Sequence, residues 1–93
     1  MRFAELVREV AEESGFTQGD ADIVVRQLFD TMANALKKGE DVMIPNFGKF
    51  TVTVSAPRTA RNPRTGESVE VPERKRPKFR ASRALNEIVD GAD

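Results

Sequence analysis

The sequence of 93 residues contains no cysteine, histidine, tryptophan or tyrosine. Without cysteine there is no disulfide, and without cysteine and histidine the usual ligands of structural zinc are missing. There is also no nucleophile paired with histidine and no glycine-rich phosphate loop, and most acidic residues lie in the first half of the chain. The composition therefore argues against an enzyme. It predicts no cofactor, no metal site and no small-molecule substrate.

Long hydrophobic runs are missing too, because charged residues interrupt every apolar stretch within a few positions. The sequence therefore predicts neither a signal peptide nor a membrane span, and we expect a soluble cytoplasmic protein. A chain of this length has room for one domain, which buries only about 60–65% of the surface of its unfolded chain. Dimerisation is the expected way to complete so small a core.

The formal net charge is zero, but the charges are separated along the chain. Residues 1–45 carry −4, residues 46–83 carry +7, and residues 84–93 carry −3. A partner meets the local field rather than the net charge. A single Lys/Arg run is commonly a solvated surface. Here, however, cations alternate from Arg74 to Arg80, and in a strand they would share one face. Such a face predicts a polyanionic ligand.

Apolar residues recur at helical spacing in the first part of the chain. Residues 3–14 are predicted to form a helix that stops at Gly15. Thr17, with Asp20 three positions later, predicts the start of a second helix, which ends at the basic turn before Gly39. We interpret the apolar stripe of this helix as core, partly as dimer core, comprising Val25, Leu28, Phe29, Met32 and Leu36.

The second half of the chain changes to a period of two. Residues 42–44 predict a short strand and residues 45–48 a tight turn, in which Asn46 and Gly48 would tolerate positive φ. Apolar residues then alternate with threonine in a second strand. Residues 62–66 predict a turn between two arms of a ribbon, and Phe79 returns the chain to the sheet. Residues 84–93 predict a final helix that Gly91 ends.

Four motifs identify a resemblance: Phe47-Gly48-Lys49-Phe50, Arg61-Asn62-Pro63, Thr65-Gly66 and Phe79. Over essentially the full chain the sequence resembles the HU/IHF family of bacterial nucleoid-associated, histone-like DNA-binding proteins, and HU most of all. The resemblance implies an α+β fold with an N-terminal helical hairpin, a three-stranded antiparallel β-sheet with a long extended β-ribbon arm, and a short C-terminal helix, in an intertwined homodimer.

The same resemblance implies one domain over residues 1–93. Residues 1–40 would be the helical dimerisation half, and residues 41–83 the β saddle and DNA-binding arm, with the arm at about 55–74. Residues 84–93 would be the C-terminal helix. Three phenylalanines of the saddle would join the dimer core, namely Phe47, Phe50 and Phe79.

In function, the resemblance implies an architectural protein that binds the minor groove of double-stranded DNA with little sequence specificity and organises the bacterial nucleoid. Bent or nicked DNA would be preferred. Pro63 would intercalate, since its compact ring presents apolar surface without a donor. HU and IHF are themselves proteins for which such wedges are described. The implied DNA-binding residues are Lys49, Arg58, Arg61, Asn62, Arg64, Arg74, Lys75, Arg76, Lys78, Arg80 and Arg83.

Several alternatives remain open at the level of sequence. Pro63 could simply shape a turn. The phenylalanines could stack on single-stranded bases, although core packing is favoured. The ribbon could add a strand to a protein partner, although a cationic edge suits that role poorly. An IHF-like subunit with sequence preference, a heterodimer with a paralogue, and RNA binding are further alternatives.

The chain also departs from the family pattern. Many HU proteins carry lysines at the positions of Phe3 and Gln18, and basic residues at those of Thr53 and Ser55. The missing flank charges predict a short DNA site centred on the arms. In compensation, the chain concentrates charge on the arm and saddle, at Arg64, Arg74, Arg76 and Lys78.

Overall fold

A computed structural model describes residues 1–91. The helices are α1 (Phe3–Ser14), α2 (Gln18–Lys37) and α3 (Arg83–Asp90). The strands are β1 (Val42–Ile44), β2 (Gly48–Ser55), β3 (Arg58–Arg61), β4 (Ser68–Val71) and β5 (Arg74–Ala81). The predicted α+β fold class is confirmed. The chain divides into two compact units between Ala35 and Leu36, and the expectation of a single domain stays a prediction.

In the first unit, α1 and α2 pack through a small core of Val7, Ala11, Ala21 and Val25. The predicted helix boundaries are confirmed. Gly15 adopts a left-handed φ of 79° and donates its N–H to the Ala11 carbonyl, which ends α1. The Thr17 hydroxyl accepts the Asp20 N–H at 3.1 Å and so caps α2.

An exposed contact also joins the two helices of this unit. The Arg26 guanidinium carbon lies 4.7 Å from the ring centroid of Phe3, a cation–π distance. The Arg26 Nε donates to Asp22 Oδ1 at 2.6 Å, and this hydrogen bond and the carboxylate charge raise the pKa of Arg26. Phe3 therefore takes part in a contact of the helical unit.

In the second unit, the strands form two separate sheets. One has the order β1-β2-β5, and the other pairs β3 with β4. All pairings are antiparallel. One face of the larger sheet is apolar, because Phe50 pairs with Val42 on one side and with Phe79 on the other. The predicted three-stranded sheet and separate ribbon are both confirmed.

The turn between β1 and β2 corrects one expectation about glycine. Asn46 has a positive φ of 62°, as the turn was expected to require, but Gly48 does not. Gly48 is instead a buried residue of β2. A Cβ there would lie 2.5 Å from Phe79 Cε1 and 2.7 Å from the Arg80 carbonyl oxygen. Glycine is needed at this position because the Phe79 ring and the Arg80 carbonyl oxygen occupy the space that a side chain would take.

The last helix begins one residue earlier than predicted. The Ser82 hydroxyl accepts the Leu85 N–H at 3.1 Å and caps α3, so Arg83 belongs to the helix and not to the sheet. Gly91, with φ 70°, ends the helix as predicted. Residues 92–93 of the predicted segment lie outside the described residues. Over residues 1–91, no helix combines the length and the hydropathy of a membrane span.

Candidate nucleic-acid interface

The cations of β5 form a row on one face of the larger sheet. Because side chains alternate between the two faces of a strand, every second residue of β5 lies on this face, as the sequence predicted. Each of these cations is paired across the sheet with a residue of β2. We define the cationic face by the four cross-strand pairs Lys49–Arg80, Thr51–Lys78, Thr53–Arg76 and Ser55–Arg74.

Short hydroxyl side chains line the β2 side of this face. Thr53 Oγ1 donates to the Arg76 carbonyl at 3.3 Å, and Ser55 Oγ donates to the Arg74 carbonyl at 3.4 Å. The hydroxyls thus bind the backbone of β5, and the long cationic side chains rise beside them. Like charges about 6.6 Å apart along a strand repel one another, so an anion that meets several of them is bound favourably.

Lys75 lies on the other face of β5. It pairs with Val54, on the side that also bears Phe50 and Phe79. The resemblance included Lys75 among the DNA-binding residues, and the register places its side chain on the face opposite to those of Arg74 and Arg76. Period-two alternation was the signal that distinguishes them.

Three candidate cations line one open groove. It has a volume of about 1050 Å³ and lies between the β1–β2 turn, the end of β5 and α3, and its cations are Lys49, Arg80 and Arg83. Two of them have carboxylate partners that sequence reasoning missed: Lys49 Nζ lies 3.6 Å from Asp41 Oδ2, and Arg83 Nε donates to Glu87 Oε1 at 3.0 Å. The second pair has the i,i+4 spacing that signals a helical ion pair.

The turn predicted at residues 62–66 forms the tip of the arm, and Asn62 organises it. Its carbonyl accepts the Gly66 N–H at 2.7 Å, and its N–H donates to the Glu67 carbonyl at 2.8 Å. Its side-chain Oδ1 accepts the Arg64 N–H at 2.9 Å. Asn62 therefore holds the turn through its backbone and its side chain, while Pro63 and Arg64 are exposed beside it.

The arginines of the arm strands occupy opposite faces of the ribbon. Arg58 pairs with Val71, and Ala60 pairs with Val69 on the same face. Arg61 pairs with Ser68, on the face that bears Glu70. A positive charge therefore projects from each side of the arm, so a ribbon lying in a groove can direct one cation to each wall.

The arm is separated from the larger sheet by a break in the ladder. Pairing stops at Ser55 and Arg74 and resumes at Arg58 and Val71. Each intervening segment contains a proline, Pro57 on one side and Pro72 on the other, and proline has no N–H to donate. A two-stranded ribbon isolated in this way is marginally stable in water.

The apolar residues assigned to the dimer core differ in exposure. Val25 is buried within its own helical unit. In contrast, Leu28 is 53% exposed and Phe29 46%. Met32 and Leu36 are half-buried.

The three phenylalanines of the sheet pack against one another. The Phe79 ring lies 4.7 Å from the Phe50 centroid and 5.7 Å from the Phe47 centroid. Phe47 and Phe79 nevertheless keep more than 40% of their surface exposed. This arrangement supports core packing rather than base stacking, with an apolar surface left for a further protein contact.

Comparison with known proteins finds one family along nearly the full chain. The family described as Bacterial DNA-binding protein matches residues 1–90. The SPbeta prophage-derived DNA-binding protein HU 2 of Bacillus subtilis is 43% identical over 89 residues, covering 96% of this chain and 97% of the relative. The DNA-binding protein HU of Geobacillus stearothermophilus is 43% identical over 89 residues, covering 96% and 99%.

Solved structures agree with this result. The HU of an Anabaena HU–DNA cocrystal structure superimposes with a TM-score of 0.85 at 35% identity, covering 96% of this chain and 97% of that one. HU from Thermotoga maritima superimposes with a TM-score of 0.69 at 29% identity, covering 96% and 98%.

Proposed function

Because this chain belongs to the HU family of bacterial DNA-binding proteins, we propose that it enters the minor groove of duplex DNA with its arm and bends the duplex by inserting Pro63. DNA binding and an architectural role follow from the family, which consists of DNA-binding proteins rather than enzymes. The groove, the bend and the intercalating residue are the parts that we add. We place this activity in the nucleoid of a bacterial cytoplasm.

The observation that carries the proposal is the position of Pro63 at the exposed tip of an arm with arginine on both faces. The rigid pyrrolidine ring offers apolar surface with no rotamer entropy to lose. Arg58 and Arg61 supply charge on the two sides of the ribbon. An apolar wedge flanked by cations fits a base step that has been opened from the minor groove.

The cationic face supports a complementary role in binding the DNA backbone. Its arginines and lysines are suited to phosphate oxygens, which position a duplex without reporting its sequence. The Oδ1 atom of Asn62, an acceptor that could otherwise meet a base edge, accepts the Arg64 N–H within the turn. Weak sequence preference is therefore the expected result.

Removing one charge from the cationic face is expected to reduce the salt dependence of DNA binding. Each neutralised phosphate adds about 0.9 to the slope of log K against log salt concentration. In a homodimer Arg76→Gln removes one such contact per subunit, so it should reduce the magnitude of the slope by about twice that amount. Lys75→Gln removes the same charge from the opposite face and should change the slope less. Titration of a labelled duplex at several salt concentrations measures both.

Equal slopes for the two variants would contradict the assignment of phosphate contacts to the cationic face. A single sequence bound more than a thousandfold tighter than random DNA of equal length would contradict weak sequence preference. If the parent protein bound duplex DNA with no salt dependence, the proposed function itself would fail.

We further propose that the protein is an obligate homodimer. Leu28 and Phe29 expose about half of their surface on α2, and Phe47 and Phe79 expose a similar share on the sheet. Complete burial of such a side chain stabilises by about 1.5–3 kcal/mol, so covering its exposed half contributes roughly half of that. Sedimentation equilibrium should show only the dimer at micromolar concentration. A stable, folded monomer under those conditions would exclude this assembly.

A further inference from the structure

We propose that Asp41 and Glu87 each lower the DNA affinity of this protein, because each holds a phosphate-binding cation in an ion pair that DNA must open. The inference rests on the proposed function, and it concerns the groove lined by Lys49, Arg80 and Arg83. The two carboxylates compete with the phosphates of the DNA backbone for Lys49 and Arg83.

The first pair joins the loop before β1 to the start of β2. Lys49 Nζ lies 3.6 Å from Asp41 Oδ2, and both side chains are about half exposed, at 43% and 50%. Lys49 is also the β2 residue that pairs with Arg80 on the cationic face. The same ammonium group is therefore available to solvent and held by a carboxylate.

The second pair lies on the first turns of α3. Arg83 Nε donates to Glu87 Oε1 at 3.0 Å, and the Arg83 side chain is 92% exposed. Both residues line the groove. Arg83 can therefore bind either the carboxylate on its own helix or an external anion, but its Nε cannot donate to both at once.

Phosphate and carboxylate oxygens use the same donors of lysine and arginine. A phosphate that displaces Asp41 or Glu87 gains one ion pair while the protein loses another. The displaced carboxylate then remains close to a second negative charge. Exposed ion pairs are weak, so the measurable effect of each is about two- to fivefold in Kd.

The test uses charge-neutralising variants of the full chain. Asp41→Asn and Glu87→Gln should each tighten binding to a random duplex by about two- to fivefold at low salt, and less at high salt, where exposed charges are screened. Glu40→Gln is the matched control for the first site and Asp90→Asn for the second. Neither control residue forms an ion pair within residues 1–91.

A double-mutant cycle separates pairing from general charge removal. In a Lys49→Met background, Asp41→Asn should lose its advantage over Glu40→Gln, because the cation that it restrains is gone. Circular dichroism confirms that the variants fold. Equal gains from Asp41→Asn and Glu40→Gln, and from Glu87→Gln and Asp90→Asn, would overturn the inference while leaving DNA binding by the parent intact. Failure of the parent to bind duplex DNA would overturn the proposed function as well.

Discussion

Replacing Pro63 with alanine is expected to remove most of the DNA bend while leaving most of the affinity. The substitution deletes the apolar ring at the tip of the arm and keeps every positive charge. Initial attachment to phosphates therefore persists, but the base step is no longer propped open. Unstacking a step costs a few kcal/mol, and nicked or bent DNA has already lost that stacking. The parent should prefer such DNA, and Pro63→Ala should lose much of the preference.

Energy transfer between dyes at the two DNA ends measures the bend, and titration of nicked and intact duplexes measures the preference. Arg61→Ala is the control, since it keeps the wedge and removes a charge from the arm. It should lower affinity with a smaller effect on shape. Equal bend angles and an equal nicked-to-intact affinity ratio for parent and Pro63→Ala would show that Pro63 is only a turn residue.

Gly48→Ala is expected to destabilise the fold, although it adds only one methyl group. The new Cβ would lie 2.5 Å from Phe79 Cε1 and 2.7 Å from the Arg80 carbonyl oxygen. A ring tip packed against Phe50 and a backbone carbonyl cannot move without disturbing the pairing of β2 with β5. Overpacking of this kind costs about 1–3 kcal/mol, or roughly 4–24 °C in Tm for a domain of this size.

The same substitution at Gly19 provides a control of opposite sign. Gly19 lies in the first turn of α2, and a Cβ there meets no atom within 4 Å. Alanine at a helical position without strain stabilises by about 0.5–1 kcal/mol. Thermal unfolding followed by circular dichroism compares the two variants. If Gly48→Ala melted at or above the temperature of the parent, the Phe79 ring and the Arg80 carbonyl oxygen would not limit the residue at this position.

Local signals in the sequence were sufficient to predict α1, α2, β1 and β2, and the presence of a ribbon and of a final helix. Glycine and threonine mark the ends of α1 and α2, and alternation defines β2 and β5. Ser82 was an equally local signal for the start of α3, and it was missed. These features depend on residues within four positions of one another, where side-chain and backbone chemistry decide the conformation.

Features that depend on distant residues could not be predicted in the same way. The sequence analysis explained Gly48 by a positive φ in the turn. Its role is instead to make room for Phe79, which lies 31 positions away. The pair of Lys49 with Asp41 depends on how the β1–β2 turn folds back. In each case, tertiary geometry and not local preference decides.

The break in the ladder at Pro57 and Pro72 also allows the arm and the larger sheet to unfold separately. Because pairing does not run continuously from the sheet into the arm, β3 and β4 can open while β2 and β5 remain closed. Amide protons of the arm should then exchange faster than those of the sheet. The free energy of ordering the arm is part of ligand affinity and not of the melting temperature. Substitutions at the tip of the arm should therefore change DNA affinity without lowering the melting temperature of the rest of the protein.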